Sequence, residues 1–325
     1  MKKIISIIIL ICLCISITAG CAGKGDDPYR EGKIRVAAMN GPTMMGLGQL
    51  FNEVCADDNH KYTITNARTA DIINAGLVSR TIDAAAIPAN TAAMLFNDKK
   101  IDMQVAAVNT LNVLYLVQRI GAEDVNGLAD LAGKTVHMPG REGTPDASFR
   151  YLLSQAGVAN VNITFHTDGT TIVEGLRQGL FNYAVLAQPA ATTVVHNGSS
   201  KEVLNLTDEW KKYNPDSDVV TGILVVRRAY LTNNKPTFDE FLQKYQESVG
   251  FMTNAENLDI AAQYVVDMGI VPNVSIAKNA LPKSGLTFIA GGEMKILLTD
   301  FYSVLLAQNA SSIGGKLPSD GFYYI

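Results

Sequence analysis

The sequence predicts an α/β protein of two lobes, each a mainly parallel β-sheet flanked by helices, with two strands crossing between them. Three observations carry this expectation. Strand-like and helix-like segments alternate from residue 33 onward, a second series of the same kind fills the middle third, and two apolar, β-branched runs about a hundred residues apart bracket that second series.

Taken in order, the first strand covers residues 34–39 and leads through Asn40-Gly41-Pro42 into a helix over residues 43–56. Met44, Leu47, Phe51, Val54 and Cys55 give that segment its helical spacing. A strand at 61–66 and a helix from Thr69 follow, then a short strand at 84–87 and a helix after Pro88. The middle third has a strand at 134–138, a glycine-rich loop at 139–145 and a helix through Tyr151-Leu152-Leu153. It continues with a strand at 162–166, a helix at 171–178, a strand at 183–186 and the loop Ala187-Gln188-Pro189. The apolar runs at 112–117 and 222–226 are read as the crossing strands. The first lobe is then discontinuous, residues 33–117 and 222–325, and ends in helices at 238–252, 258–268 and 292–309; the second lobe is residues 118–221. In open sheets of this kind ligands lie beyond the carboxyl ends of the strands, so the loops that follow strands are the informative ones.

The amino terminus has a different character. Lys2 and Lys3 precede an unbroken apolar run over residues 4–17, which ends in Thr18-Ala19-Gly20-Cys21. That is the layout of a secretory signal, and the run is shorter than the roughly 20 residues a membrane helix needs. The final tetrapeptide resembles the lipobox of bacterial lipoproteins, which implies cleavage before Cys21, its acylation (palmitate among the expected chains) and retention at the outer face of the cell membrane. Thr18 stands where leucine is favoured and keeps cleavage by an ordinary signal peptidase as the alternative. Residues 21–32 are polar and read as a flexible tether.

Composition narrows the rest. Cys12 and Cys14 leave with the signal and Cys21 is consumed by lipid, so Cys55 has no partner and the fold must rest on an apolar core. The chain has 47% hydrophobic and 18% charged residues, which allows such a core. A net charge of −4, without any Lys/Arg cluster, excludes nucleic acid as the expected partner.

Several segments together resemble the solute-binding proteins of ABC importers, and within them the nitrate, sulfonate, taurine and thiamine-precursor binding family. They are Gly41-Pro42-Thr43 after the first strand, Leu-Ala-Gly-Lys-Thr-Val at 131–136, the loop at 140–145, and Ala-Val-Leu-Ala-Gln-Pro at 184–189. The resemblance runs from residue 33 to the last helix. It implies a type II periplasmic-binding-protein fold, a small-molecule ligand held between lobes that close on a hinge, an ABC permease as membrane partner, and a monomer without a cofactor. A small anion of the sulfonate or nitrate kind is the first expectation, a neutral heterocycle such as a thiamine precursor the alternative.

Three helix starts offer unpaired N–H groups and partial positive charge at strand ends: Thr43 after Asn40 and Gly41, Thr69 after Arg68, and Thr144 after Arg141 and Gly143. The plainer reading is that these threonines cap helices. Arg141, and more weakly Arg68, has the fork geometry to grip a carboxylate, sulfonate or phosphate; a solvated Arg141 paired with Glu142 is the alternative. Without them, Met44, Met45 and Met138 suggest an apolar ligand, or simply core. Asn90 and Thr91, Asn109 and Thr110, and Gln188 complete the loop set, with Tyr115 and Tyr183 as stacking candidates or core residues.

Enzyme motifs fail on their chemistry. After Gly41-Pro42-Thr43-Met44-Met45-Gly46, the positions a P-loop gives to Lys and Ser or Thr are Leu47 and Gly48. No Gly-x-Ser-x-Gly elbow or His-Glu-x-x-His pair occurs, and His60, His137, His166 and His196 are dispersed, with only His137 near a candidate loop. A two-lobed extracytoplasmic sensor is the remaining alternative.

Overall fold

The computed structural model describes residues 32–57 and 59–325. The signal segment, Cys21 and the tether up to residue 31 lie outside the described residues.

Two sheets form. The larger has six strands in the order β11-β4-β10-β3-β1-β2, and the smaller five in the order β7-β6-β8-β5-β9. The first sheet opens with β1 (Ile34–Met39), β2 (Tyr62–Ala67), β3 (Ala84–Pro88) and β4 (Met103–Leu111). Helices α1 (Pro42–Met45) and α2 (Gly48–Cys55) join β1 to β2, α3 (Ala70–Val78) joins β2 to β3, and α4 (Ala89–Asn97) joins β3 to β4. The second sheet holds β5 (Leu114–Arg119), β6 (Thr135–Pro139), β7 (Asn162–His166), β8 (Tyr183–Ala187) and β9 (Ser200–Asn205). It carries α5 (Thr144–Gln155), α6 (Gly169–Arg177), α7 (Ala190–His196) and α8 (Leu206–Tyr213). The chain then returns to the first sheet as β10 (Val220–Arg227), α9 (Arg228–Thr253), α10 (Leu258–Asp267), α11 (Val274–Ala280), β11 (Leu286–Ile289) and α12 (Gly291–Gln308).

Both sheets are mixed, and connectivity explains how. Strands linked by a helix pair in parallel: β1 with β2 and β3, and β6 with β7 and β8. Strands that abut a passage between sheets pair antiparallel: β10 with β3 and β4, and β5 with β8 and β9. The segment expected to cross at 112–117 therefore divides. Asn112 and Val113 make the crossing, and Leu114 already starts β5 in the second sheet. The return crossing lies just before β10, and the two passages are tied together. Asn112, with φ 57°, donates its backbone N–H to Val219 O at 3.0 Å and its Nδ2 to Asp218 at 2.8 Å, while its Oδ1 accepts from Val219 N at 3.0 Å.

Burial on both faces explains why the central strands are apolar runs, whereas the edge strand β2 alternates between buried and exposed residues. Ile34, Val36 and Ala38 of β1 face the cluster under α9 to α11, which includes Tyr230, Phe238, Phe241 and Tyr245, whereas Ala37 faces the other side. That other cluster is continuous through both lobes. Trp210 of the second lobe lies 5.8 Å, centroid to centroid, from Phe301 of α12 and 4.9 Å from Tyr151 of α5.

The helix expected over 43–56 is two helices broken at Gly46 and Leu47. The break brings in α9: Ser248 Oγ donates to Gly46 O at 2.8 Å and accepts from Leu50 N at 3.3 Å. The helix expected from residue 238 starts ten residues earlier as α9 and bends at Asn234, because Pro236 has no N–H to give the helix.

Candidate functional site

The carboxyl ends of β1, β3, β4, β6 and β8 meet where the lobes touch. The contact is made of hydrogen bonds as well as apolar packing. Asn90, fully buried at the start of α4, donates its Nδ2 to Glu142 O of the second lobe at 2.6 Å, and its Oδ1 accepts from Thr144 Oγ1 at 2.9 Å. The same Nδ2 reaches Ser312 O of its own lobe at 3.2 Å. Gly41, after β1, is close enough to Gln188, after β8, that an added Cβ would stand 4.0 Å from its carbonyl oxygen. On the far side, Lys283 pairs with Glu202 at 2.9 Å.

Behind this junction lies a polar floor. Thr110 Oγ1 donates to Asn109 Oδ1 at 3.0 Å. Gly222 of β10 leaves room for both, since a Cβ there would come within 2.5 Å of Asn109 Oδ1 and of Thr43 Cγ2. Asn109 Nδ2 and the Tyr245 hydroxyl are buried without a hydrogen-bond partner, as is Thr192 Oγ1 in the second lobe. Asn109 lies near enough to Tyr245 to oppose the upward push of burial on its pKa, although neither atom completes a hydrogen bond. Gln188 is held from two sides: its Oε1 accepts from Thr192 N at 3.2 Å and its Nε2 donates to Glu202 at 3.3 Å. Next to it, Tyr115 has its pKa raised by burial and by the Glu202 charge, partly offset by a hydrogen bond from Gln188.

Of the residues expected from the sequence, Gly41, Thr43, Asn90, Asn109, Thr144 and Gln188 are buried and come together here. None of the three threonines caps a helix through its side chain. Thr43 is spent on Met39 O at 2.7 Å, Thr69 precedes α3 without a side-chain bond, and Thr144 reaches Asn90. Gly143 is the residue before α5, half-buried, and packs on Gly140 O. Asn40 is exposed and accepts from Asn66 at 3.1 Å.

The two arginines stay outside. Arg68 is exposed, and Arg141 is exposed with its guanidinium 4.7 Å above the Phe165 ring. Cation–π attraction to a ring on the neighbouring strand gives Arg141 a surface partner in place of the cleft. Met44, Met45 and Met138 are fully buried core residues. Tyr183 donates to Glu123 O at 2.8 Å, as a satisfied core tyrosine does. Tyr245, Gly222 and Thr192 were not legible as site residues, because each sits inside a helix or strand at a spacing that reads as core. An open groove of about 310 Å³ lies beside the crossing, lined by Leu111, Asn112, Tyr115 and residues around Lys283, and so adjoins Gln188 through Tyr115.

With this geometry in view, the relatives can be compared. Residues 96–257 match the family model described as NMT1/THI5 like. No curated protein matches the sequence. Among solved structures, an ABC transporter protein from Parabacteroides distasonis superposes with a TM-score of 0.73 at 19% identity, covering 91% of this chain and 99% of that one. The alkanesulfonate-binding protein SsuA from Xanthomonas axonopodis pv. citri, bound to MOPS, gives 0.68 at 11% identity over 90% of this chain and 96% of that one. The periplasmic nitrate-binding protein NrtA from Synechocystis PCC 6803 gives 0.61 at 13% identity over 82% and 75%. At such identities the likeness is one of fold, that of two-lobed periplasmic binding proteins.

Proposed function

From the premise that this chain carries an NMT1/THI5-like domain over residues 96–257 on a two-lobed binding-protein fold, we propose that it is the extracytoplasmic solute-binding component of an ABC importer. The observation that carries the reading is the pairing of strand-end loops across the lobe junction, with Asn90 bonded to Glu142 and Thr144 of the opposite lobe. A solute held between Gly41, Thr43, Asn90 and Asn109 on one side and Thr144 and Gln188 on the other touches both lobes only when they are closed. Its binding energy therefore shifts the equilibrium toward the closed form, and the closed form is what a permease would recognise. The crossing near Asn112 and Val219 is the hinge of that motion, between a lobe of residues 33–117 with 222–325 and a lobe of residues 118–221.

Among the described residues no helix is long and apolar enough to cross a membrane. Retention at the membrane is assigned here to the amino terminus. In this reading the chain is exported, cut before Cys21 and held by acyl chains at about 0.8 kcal/mol per buried CH₂. Residues 21–32 are the tether that keeps it near its partner at high effective concentration. The intact mass of the native protein checks this; an unmodified Cys21, or a chain beginning elsewhere, would remove the anchor.

The solute-binding role is tested by thermal shift on the signal-free chain against sulfonates, oxyanions and uncharged heterocycles. A solute at a hundred times its Kd stabilises the fold by about 2.7 kcal/mol. The same solute should contract the particle in small-angle scattering. Stabilisation by none of these classes, with no contraction, would argue against a binding protein.

A further inference from the structure

We propose that the cleft is built for an uncharged, hydrogen-bond-accepting solute, and that Asn109 and Tyr245 are the residues that read its acceptor. The inference rests on the solute-binding role above and adds the ligand's chemistry to it.

The first argument is what surrounds the junction. The buried polar side chains gathered there, Thr43, Asn90, Asn109, Thr144, Gln188 and Thr192, are all neutral. The arginines expected to grip an anion are exposed, and the buried Arg227 is at the opposite end of β10 from Gly222, paired with Asp83 at 2.8 Å. Burying an anion without a cation is costly unless oriented N–H groups replace water around it. Two of the helix starts here supply few of them. Helix α1 has four residues and begins with Pro42, which has no N–H. Helix α5 has Pro145 in its first turn, Gly143 N is spent on Gly140 O at 3.1 Å, and the buried Asp146 carboxylate accepts from Glu142 N at 2.9 Å. That end of α5 is already served by a negative charge, which opposes a second one.

The second argument is what is left unpaired. An amide nitrogen only donates, and Asn109 Nδ2 is buried with no acceptor; the oxygen of the same amide is taken by Thr110. The Tyr245 hydroxyl beside it is fully buried; the two groups lie near enough to influence each other, complete no hydrogen bond between them, and have no other partner. Leaving such groups unmet is unfavourable, so their retention beside Gly222, where a side chain would displace Asn109 and Thr43, points to an acceptor that arrives with the solute. Burial raises the Tyr245 pKa, which keeps the hydroxyl protonated and able to donate.

The test compares uracil, cytosine and nicotinamide with methanesulfonate, butanesulfonate and nitrate, by thermal shift and calorimetry on the signal-free chain, in wild type and in Tyr245→Phe and Asn109→Ala. We expect at least one uncharged probe to bind and the anions not to. Tyr245→Phe should leave the solute-free melting temperature unchanged or higher, because no hydrogen bond is lost, and should weaken the binding probe at least tenfold. Asn109→Ala should weaken it similarly. Binding by the anions alone would overturn the inference and leave the solute-binding role intact. An uncharged probe bound by Tyr245→Phe within twofold of wild type would overturn the assignment to that residue. Silence from both sets counts against the inference and the role together.

Discussion

At the scale of single residues, the strand-end loops could be read in advance because polar residues there have few structural duties, and Asn90, Asn109, Thr144 and Gln188 are where that logic put them. Arg141 shows its limit: the ring that holds it, Phe165, lies on another strand, and no local pattern announces a stacking partner that distant in sequence. His137 is a similar case, with a consequence that can be measured. Its ring stacks on Phe181 with centroids 3.8 Å apart, and its Nδ1 lies 2.9 Å from Nε2 of His166. Burial first, and the neighbouring His166 second, lower its pKa from 6.5 to about 4. The unfolded chain therefore takes up this proton more readily than the folded one between those two values. Stability should fall as the pH drops through that window, with the loss complete below it. The ring is buried but lies against a second imidazole that can share the proton, so the expected loss is about 1–2 kcal/mol and not the full value of the shift. Urea midpoints at pH 7 and pH 4.5 in wild type and His137→Gln measure it; equal losses in the two proteins would take His137 out of the account.

At the scale of elements, most strands and helices were legible because the apolar spacing switches cleanly between them. Of those missed, β9, α7, α8, α11 and β11 are short, whereas β4, at nine residues, was missed because the apolar run that follows it at 112–117 was read as the strand. In the short segments, packing against the rest of the molecule decides the conformation more than local pattern does. Both lobes use one device to turn from a helix into the next strand. In α3, Gly76 accepts from Thr81 N and Ile82 N, and an added Cβ would stand 2.3 Å from Ile82; in α6, Gly175 accepts from Leu180 N and Phe181 N, and a Cβ would stand 2.1 Å from the Phe181 ring. Each glycine thus lets the apolar residue six positions later fold back under its own helix. Gly175→Ala should cost about 1–3 kcal/mol by overpacking, since a ring has no flexible end to move aside. Gly250, in α9, has nothing within 4 Å of its Cβ position, so Gly250→Ala should raise stability by about 0.4–1 kcal/mol. Denaturant melts of the pair check both signs, and a neutral Gly175→Ala would mean that Phe181 has another place to go.

At the scale of the molecule, the lobes meet through a continuous apolar cluster and a small set of polar contacts. Trp210 against Phe301 belongs to the buried cluster, whereas Lys283 with Glu202 is a partly exposed ion pair that contributes at most about 1 kcal/mol. The two bonds from Asn90 to Glu142 O and Thr144 Oγ1 are different, because they are buried and disappear altogether when the lobes part. At about 0.5–1.5 kcal/mol for each neutral hydrogen bond, they bias the open–closed equilibrium by about 1–3 kcal/mol. Asn90→Ala should therefore shift the solute-free protein toward the open form, seen as a larger radius of gyration in solution scattering and a longer distance between labels placed across the cleft. In the closure proposed above, solute binds productively only to the closed form, and affinity should then fall along with the closed population. Thr144→Val removes one of the same bonds from the other lobe, so the double variant should lose less than the sum of the single ones, as residues sharing an interaction do. Additive losses, or an Asn90→Ala protein as compact as wild type, would place the control of closure elsewhere than at this buried pair.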